Sequence, residues 1–382
     1  MAPHCGSILS EIADIAAGRR GFATTARYPG GMRIAQIAPL FEAVPPRRYG
    51  GTERVVHWLT EELVARGHDV TLFATGDSVT SARLVPARAE AARFVPNFEQ
   101  NGAPYMRLLE LVYRESRAFD VLHFHIDFWP LPLFSRQATP FLTTLHGRMD
   151  RDWVRDIYGL FPAARLVSVS DAQRAPAPEL GWAATVRHGM PAGLLTPLPA
   201  RGEYLAFLGR SSPEKGIDSA IAIAAGAGME LRIAAKIGAE DAAWHARVVA
   251  PLLAGGRVQY LGEIDDAQKP ALLSGARALL FPIDWPEPFG LVMIEAMACG
   301  CPVIAFRRGS VPEVVEDGVT GFIVDDVAGA VAAVAKLDRL DRRAIRRRFG
   351  QRWTVARMAD DYLALYAAMT QAARPALRAV GD

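Results

Sequence analysis

The sequence predicts an α/β chain of two doubly wound, Rossmann-like domains. Three observations predict it. Strand-like and helix-like patterns alternate from Met32 onward, as they do where crossover helices connect parallel strands. Short apolar runs such as Pro302 to Phe306 suit strands buried on both faces. The 382 residues, 51% of them apolar, are enough for two cores of ordinary size.

Composition removes several function classes. With 43 basic and 41 acidic residues the net charge is +2, which gives no global field for nucleic acid or a membrane. The three cysteines, Cys5, Cys299 and Cys301, are too few and too clustered for a disulfide framework. They fit small core residues in a reducing cytoplasm. No apolar run reaches the length needed to span a bilayer. Residues 1–31 carry Arg19, Arg20 and Arg27 with few acids and read as a mobile leader without chemistry.

In the first domain, 32–195, Met32 to Ala38 is the first strand. Thr52 is placed to cap the helix that follows, and Gly67 to end it. Asp69 to Ala74 is the second strand. Gly50 and Gly51 sit at a strand-to-helix turn, where open α/β sheets bind ligands; a flexible loop that needs glycine for its turn is the alternative. Arg47 and Arg48 lie beside them. Val121 to His125 and Phe141 to Leu145 are further strands. His123 and His125 alternate to one face, but no third ligand completes a metal set, and no metal is expected. His146 follows the carboxyl end of its strand, on the rim where sites form. Asp127, Trp129 and Asp150 lie on loops of this domain, open to an acceptor. Leu166 to Ser170 and Ala184 to His188 are the last strands, His188 to Pro191 closes the domain, and Leu195 to Gly202 is the linker.

The second domain, 203–352, opens with strand Tyr204 to Leu208. The segment from Gly209 to Gly216 then carries Arg210 and Lys215. A fork-shaped guanidinium and a point-charge ammonium on a glycine-bounded loop suit a diphosphate; a solvated basic turn is the alternative. Glu230 to Lys236, Val258 to Leu261 and Ala278 to Phe281 are strands, with Gly262-Glu263-Ile264 after one of them. Arg339 to Arg352 holds seven arginines, read as a solvated helical face or as a peripheral contact with an anionic membrane. The last helix runs from Val355 to Thr370.

The centre of the chain is Trp285 to Phe306. Pro286 and Pro288 keep its start out of a helix. From Phe289 the pattern turns helical, with Leu291, Ile294, Met297 and Ala298 at core spacing, and Gly300 stops it. Glu287 and Glu295 are separated by about 12 Å of regular helix, the length of a sugar diphosphate. The amides of Phe289, Gly290 and Leu291 would lie at a helix N-terminus, which favours anions. The unit can thus hold hydroxyls at two ends and an anion between them. A capped amphipathic helix with one exposed acid is the plain alternative.

Glu287-Pro-Phe-Gly-Leu-Val-Met-Ile-Glu295 resembles the Glu-x7-Glu motif of retaining glycosyltransferases of family 4, which have the GT-B fold. The sequence Ala-Met-Ala-Cys-Gly-Cys-Pro-Val-Ile-Ala after it, and Gly318 to Val324, are similar to that family too. The likeness covers nearly the whole chain from Met32. It implies two Rossmann-like domains facing across a cleft, with the acceptor on the first, the nucleotide sugar on the second, and a terminal helix within 353–372 crossing back to the first. It also implies site residues. Arg210 and Lys215 match the family pair that holds the donor phosphates. Gly50 and Gly51 approach the diphosphate, and Phe289, Gly290 and Leu291 line the donor. Glu263 and Ile264 meet the base. Glu287 meets the donor sugar with His146 beside it, and Glu295 meets the ribose.

The implied reaction moves a hexosyl unit from a UDP- or GDP-sugar to an acceptor hydroxyl with retention, without a resident cofactor or a metal. A glycosidase is disfavoured, because its two carboxylates stand about 5 to 9.5 Å apart. Sugar-nucleotide epimerisation, phosphorolysis and a silent binding module remain as alternatives.

Overall fold

The structure, a computed structural model, describes residues 31–47, 50–93, 95, 102–199, 202–254 and 256–378. Residues 1–30 of the leader and Arg48 lie outside the described residues. The chain divides into two compact units, one formed by 1–187 with 355–382, the other by 188–354.

The first unit carries β1 (Arg33–Ile37), β2 (Asp69–Thr75), β3 (Arg83–Arg88), β4 (Val121–Phe124), β5 (Phe141–Thr144), β6 (Leu166–Ser168) and β7 (Trp182–Thr185). They form one parallel sheet in the order β3-β2-β1-β4-β5-β6-β7. Ala35, Ile37, Phe73, Leu122 and Phe124 are fully buried in it, as expected of strands covered on both faces. The sequence pattern misses β3, an edge strand whose ends are Arg83 and Arg88 and which contains Pro86. Proline is tolerated at an edge, where its missing donor breaks no ladder. The first helix, Gly51–Ala65, starts two residues earlier than a Thr52 cap requires. Its N-cap is Gly50, and no side chain caps it.

The second unit carries β8 (Tyr204–Arg210), β9 (Glu230–Lys236), β10 (Val258–Gly262), β11 (Ala276–Phe281), β12 (Val303–Phe306) and β13 (Gly321–Val324). Their order is β10-β9-β8-β11-β12-β13, all parallel. The core joins Leu205, Phe207, Ile233, Leu280 and Ile304 of the sheet to Ile217, Ile221 and Val334 of its helices. Both units therefore repeat one plan: three strands wind outward one way, and the chain returns to the middle and winds the other way.

The segment His188 to Pro191, expected to close the first domain, belongs to the second unit. Met190 pairs with Thr354, and its amide donates to the carbonyl of Trp353 at 2.9 Å. Arg346 donates to the carbonyls of Ala192 at 2.6 Å and Leu195 at 3.1 Å. The stretch expected as a linker is therefore pinned along the second unit. The last helix, Val355–Arg378, belongs to the first unit, where Arg66 grips Asp360 and the carbonyl of Ala356, and Arg357 reaches the carbonyl of Arg187 at 2.7 Å.

The arginine-rich segment is not one solvated face. Arg342 donates to the carbonyls of Ala276 at 2.7 Å and Ser274 at 2.9 Å. Arg346 also takes the carbonyl of Ala298 at 2.7 Å. Arg352 pairs with Glu316 at 2.5 Å. These three satisfy carbonyls and an acid of the second unit, while Arg339, Arg343, Arg347 and Arg348 are exposed. Among the described residues no helix is long and apolar enough to cross a membrane.

Candidate active site

In a doubly wound sheet, ligands bind outside the carboxyl ends of the strands where the strand order reverses. In the second unit that point lies between β8 and β11. β8 ends at Arg210 and leads into residues 211–216; β11 ends at Phe281 and leads into residues 282–290. These two loops carry Lys215, Glu287, Phe289 and Gly290.

The loops are joined through Lys215 and Glu287. Lys215 Nζ donates to Glu287 Oε2 at 2.5 Å, and Trp285 Nε1 donates to the same oxygen at 2.9 Å. The ammonium also lies 4.6 Å from the centre of the Trp285 ring, a cation–π contact. The side chains of Lys215 and Glu287 are only 17% and 11% exposed, so solvent screens the pair less than it screens a surface pair. Trp285, a bulky neighbour in the sequence, thus orients both the acid and the cation. Gly216 lets the loops close. Its φ is +69°, and a Cβ there would lie 2.0 Å from the carbonyl oxygen of Pro282.

A third loop, after β12, braces Glu287 from behind. The Ser310 amide donates to the Glu287 carbonyl at 3.0 Å, and Ser310 Oγ donates to the Phe289 carbonyl at 2.9 Å. Gly309 has φ +49°, and a Cβ there would lie 2.4 Å from both the nitrogen and the oxygen of Glu287. Neither contact can be relieved by a side-chain rotation. Gly309→Ala is therefore expected to cost about 1–3 kcal/mol in backbone strain and to lower turnover by displacing Glu287. Melting and initial rates of the same preparation check this; an unchanged rate would show that the brace is dispensable.

The helix on this side is Leu291–Ala298, not one beginning at Phe289. Gly290 is its N-cap, in the left-handed region at φ +78°. Phe289 stays outside and buries its ring against His188 and Trp353, with centroids 4.9 and 5.7 Å away. The N-terminal amides offered to an anion are thus those of Leu291 and Val292. Glu295 lies inside the helix and is 3% exposed. Its Oε1 accepts from Lys269 Nζ at 2.6 Å, and Lys269 also sits 2.9 Å from Asp266. Nothing in the local sequence around Lys269 marks it, since its partner is 26 positions away.

Arg210 faces three acids: Glu214 at 2.6 Å, Glu240 at 3.1 Å and Asp241 at 3.2 Å. A guanidinium offers five donors in a planar fork, so it can share itself between these carboxylates and a further anion. Burial raises the Asp241 carboxyl above its usual range, against the pull of Arg210. Lys236 ends β9 directly beside Arg210 in register. Glu263 and Ile264 follow Gly262 at the carboxyl end of the edge strand β10, two strands from Arg210.

In the first unit the strand order reverses between β1 and β4. Gly50 and Gly51 begin the helix that follows β1. A Cβ on Gly50 would meet the Pro46 ring at 2.7 Å, while Gly51 is exposed. His146 follows β5, and its Nε2 lies 2.9 Å from His125 Nδ1. Burial lowers the His146 pKa to about 3, so at pH 7 the ring is neutral and acts by hydrogen bonding. His123 and His125 are taken up by hydrogen bonds in the same core. Asp127 turns the chain at φ +49°, Trp129 stacks on Tyr105 with centroids 5.1 Å apart, and Asp150 pairs with Arg148 at 2.5 Å.

Known proteins are similar to this chain over most of its length. The family model described as "Glycosyltransferase Family 4" matches residues 49–185, and "Glycosyl transferases group 1" matches 196–352. A phosphatidyl-myo-inositol mannosyltransferase of Mycolicibacterium smegmatis is 28% identical over 334 residues, which cover 79% of this chain and 84% of that protein. Sucrose-phosphate synthase from Thermosynechococcus elongatus superposes with a TM-score of 0.71 at 22% identity, over 91% of this chain and all of that one. An Anabaena protein solved with UDP and glucose superposes with a TM-score of 0.69 at 17% identity, over 88% of this chain and all of that one. At such identities the two structures establish the fold, which is GT-B.

Proposed function

Since this chain belongs to glycosyltransferase family 4 and is a sugar-transferring enzyme, we propose that it moves a hexosyl unit from a UDP- or GDP-sugar to an acceptor hydroxyl with retention of configuration. The observation that carries the proposal is the meeting of Lys215 and Glu287 at the β8/β11 reversal, beside Arg210 and the N-terminus of Leu291–Ala298. The relative solved with UDP and glucose supports a donor of this class.

The chemistry follows from charge. The bond between the sugar's anomeric carbon and the diphosphate breaks, and negative charge grows on the departing oxygen. Arg210, Lys215 and the amides of Leu291 and Val292 are fixed donors that stabilise such charge without reorganising. The acceptor oxygen bonds to the same carbon on the same face, and its proton passes to the departing phosphate oxygen. Glu287, held by Lys215 and Trp285, accepts hydrogen bonds from donor-sugar hydroxyls. Glu295 is the group for the ribose, and His146 serves the sugar as a neutral hydrogen-bonding ring. Cations of the protein take the charge that a divalent metal would otherwise take.

Incubation with UDP- and GDP-hexoses in the absence of acceptor tests the reading. Slow release of nucleoside diphosphate by transfer to water, with the free hexose first appearing in the donor's anomeric configuration by NMR before it mutarotates, is the expected result. An isomerised sugar nucleotide, or no binding of any donor, would contradict it.

A further inference from the structure

Seven buried or half-buried groups of the first unit form one unbroken hydrogen-bond chain, which reaches His146. Gln36 comes from β1, His123 from β4, His125 from just after β4, Thr144 from β5 and His146 from just after it. Residues two apart on a strand share a face, so His123 and His125 lie on one face, as do Thr144 and His146. Register sets Gln36 beside His123. Tyr362 and Tyr366, four apart on the last helix, lie one turn from each other and cover that face. Gln36, His123, Thr144 and Tyr366 are 0% exposed and Tyr362 is 1% exposed.

The contacts carry a direction. Gln36 Oε1 can only accept, so His125 donates to it from Nε2, at 2.9 Å. A neutral imidazole has one donor and one acceptor, so His125 Nδ1 accepts from His146 Nε2, at 2.9 Å. On the other side, the Gln36 amide nitrogen donates to the Tyr366 hydroxyl at 3.2 Å. That hydroxyl lies 2.6 Å from His123 Nδ1, and His123 Nε2 lies 2.7 Å from Thr144 Oγ1; a chain running one way has the hydroxyl donating to Nδ1 and Nε2 donating to Thr144. Thr144 Oγ1 and Tyr362 Oη lie 2.9 Å apart, and in the same direction Thr144 is the donor. Histidines can exchange tautomers and hydroxyls can rotate where they stand. Only the Gln36 amide must turn over bodily for the chain to reverse, and its burial opposes that. Such chains also strengthen cooperatively when every member points one way.

We propose that Gln36 and Tyr366 are positioning residues that fix His146 as the Nε2–H tautomer, so that Nδ1 of His146 accepts a hydrogen bond from substrate. An accepting nitrogen suits a sugar hydroxyl and repels a phosphate oxygen, which places His146 on the sugar rather than the diphosphate. This consequence rests on the transferase reading of His146; the tautomer does not.

The test uses the full chain with 15N-labelled histidine and long-range proton–nitrogen correlation at neutral pH. The expected spectrum shows His146 protonated at Nε2 only. Gln36→Leu and Tyr366→Phe, each checked for folding by melting, should replace that single tautomer with a mixture. A wild-type His146 protonated at Nδ1 would overturn the proposal without any variant. So would a wild-type tautomer that persists unchanged in a folded Gln36→Leu protein. If the tautomer is as expected but no nucleotide sugar binds, the relay stands and the transferase reading fails.

Discussion

Lys215→Ala is expected to lower turnover by about 100- to 1000-fold, the range seen when one fixed donor to a developing oxyanion is removed. Two effects combine. The departing diphosphate loses a cation, and Glu287 loses its 2.5 Å partner and keeps only the Trp285 N–H. Preference among donor sugars should change little, because the sugar's hydroxyls are read by Glu287 rather than by the ammonium. Steady-state rates with two hexose donors of the same nucleotide measure both quantities. An unchanged rate would remove Lys215 from the mechanism. A large change in sugar preference at a modest loss of rate would make it a specificity residue instead.

Lys269→Met should have the largest effect on folding. Lys269 and Glu295 have side chains only 9% and 4% exposed, so removing the cation strands a buried carboxylate. Breaking one side of such a pair costs about 3–5 kcal/mol, which lowers the melting temperature by roughly 10 °C for a unit of this size. Lys269→Met combined with Glu295→Leu replaces both charges by apolar groups of similar bulk and should recover most of that melting temperature. It should not recover donor affinity if Glu295 holds the ribose. Calorimetric melting and donor titration of the two variants separate the roles. A single variant that melts like the wild type would mean that the pair does not hold the fold. A double variant with wild-type donor affinity would leave Glu295 without a ribose role.

The fold was readable because both sheets are parallel and buried. Runs such as Val303–Phe306 have no polar face to obscure them, and glycines punctuate the turns. β3 escaped because an edge strand with arginines at both ends and a central proline has no such pattern. The division between units escaped because Met190 and Arg346 fix the segment after His188 by long-range contacts. In the candidate site, Lys215 and Glu287 were legible because loops after strands carry them, and Arg210 because it ends one of those strands. Lys269, Gly309, Gln36 and Tyr366 were not. Each matters through a partner distant in sequence: Glu295, the backbone of Glu287, and His146 by way of His125. The periods were present, with His123/His125 and Thr144/His146 two apart and Tyr362/Tyr366 four apart, but a period does not say which face meets which.

A crystal structure of the full chain with bound UDP or GDP tests the central claim most directly. The account predicts diphosphate oxygens within about 3 Å of the Arg210 guanidinium, Lys215 Nζ and the amides of Leu291 and Val292. A nucleotide seated with its phosphates away from the β8/β11 reversal, leaving Arg210 and Lys215 on their carboxylates alone, would contradict it.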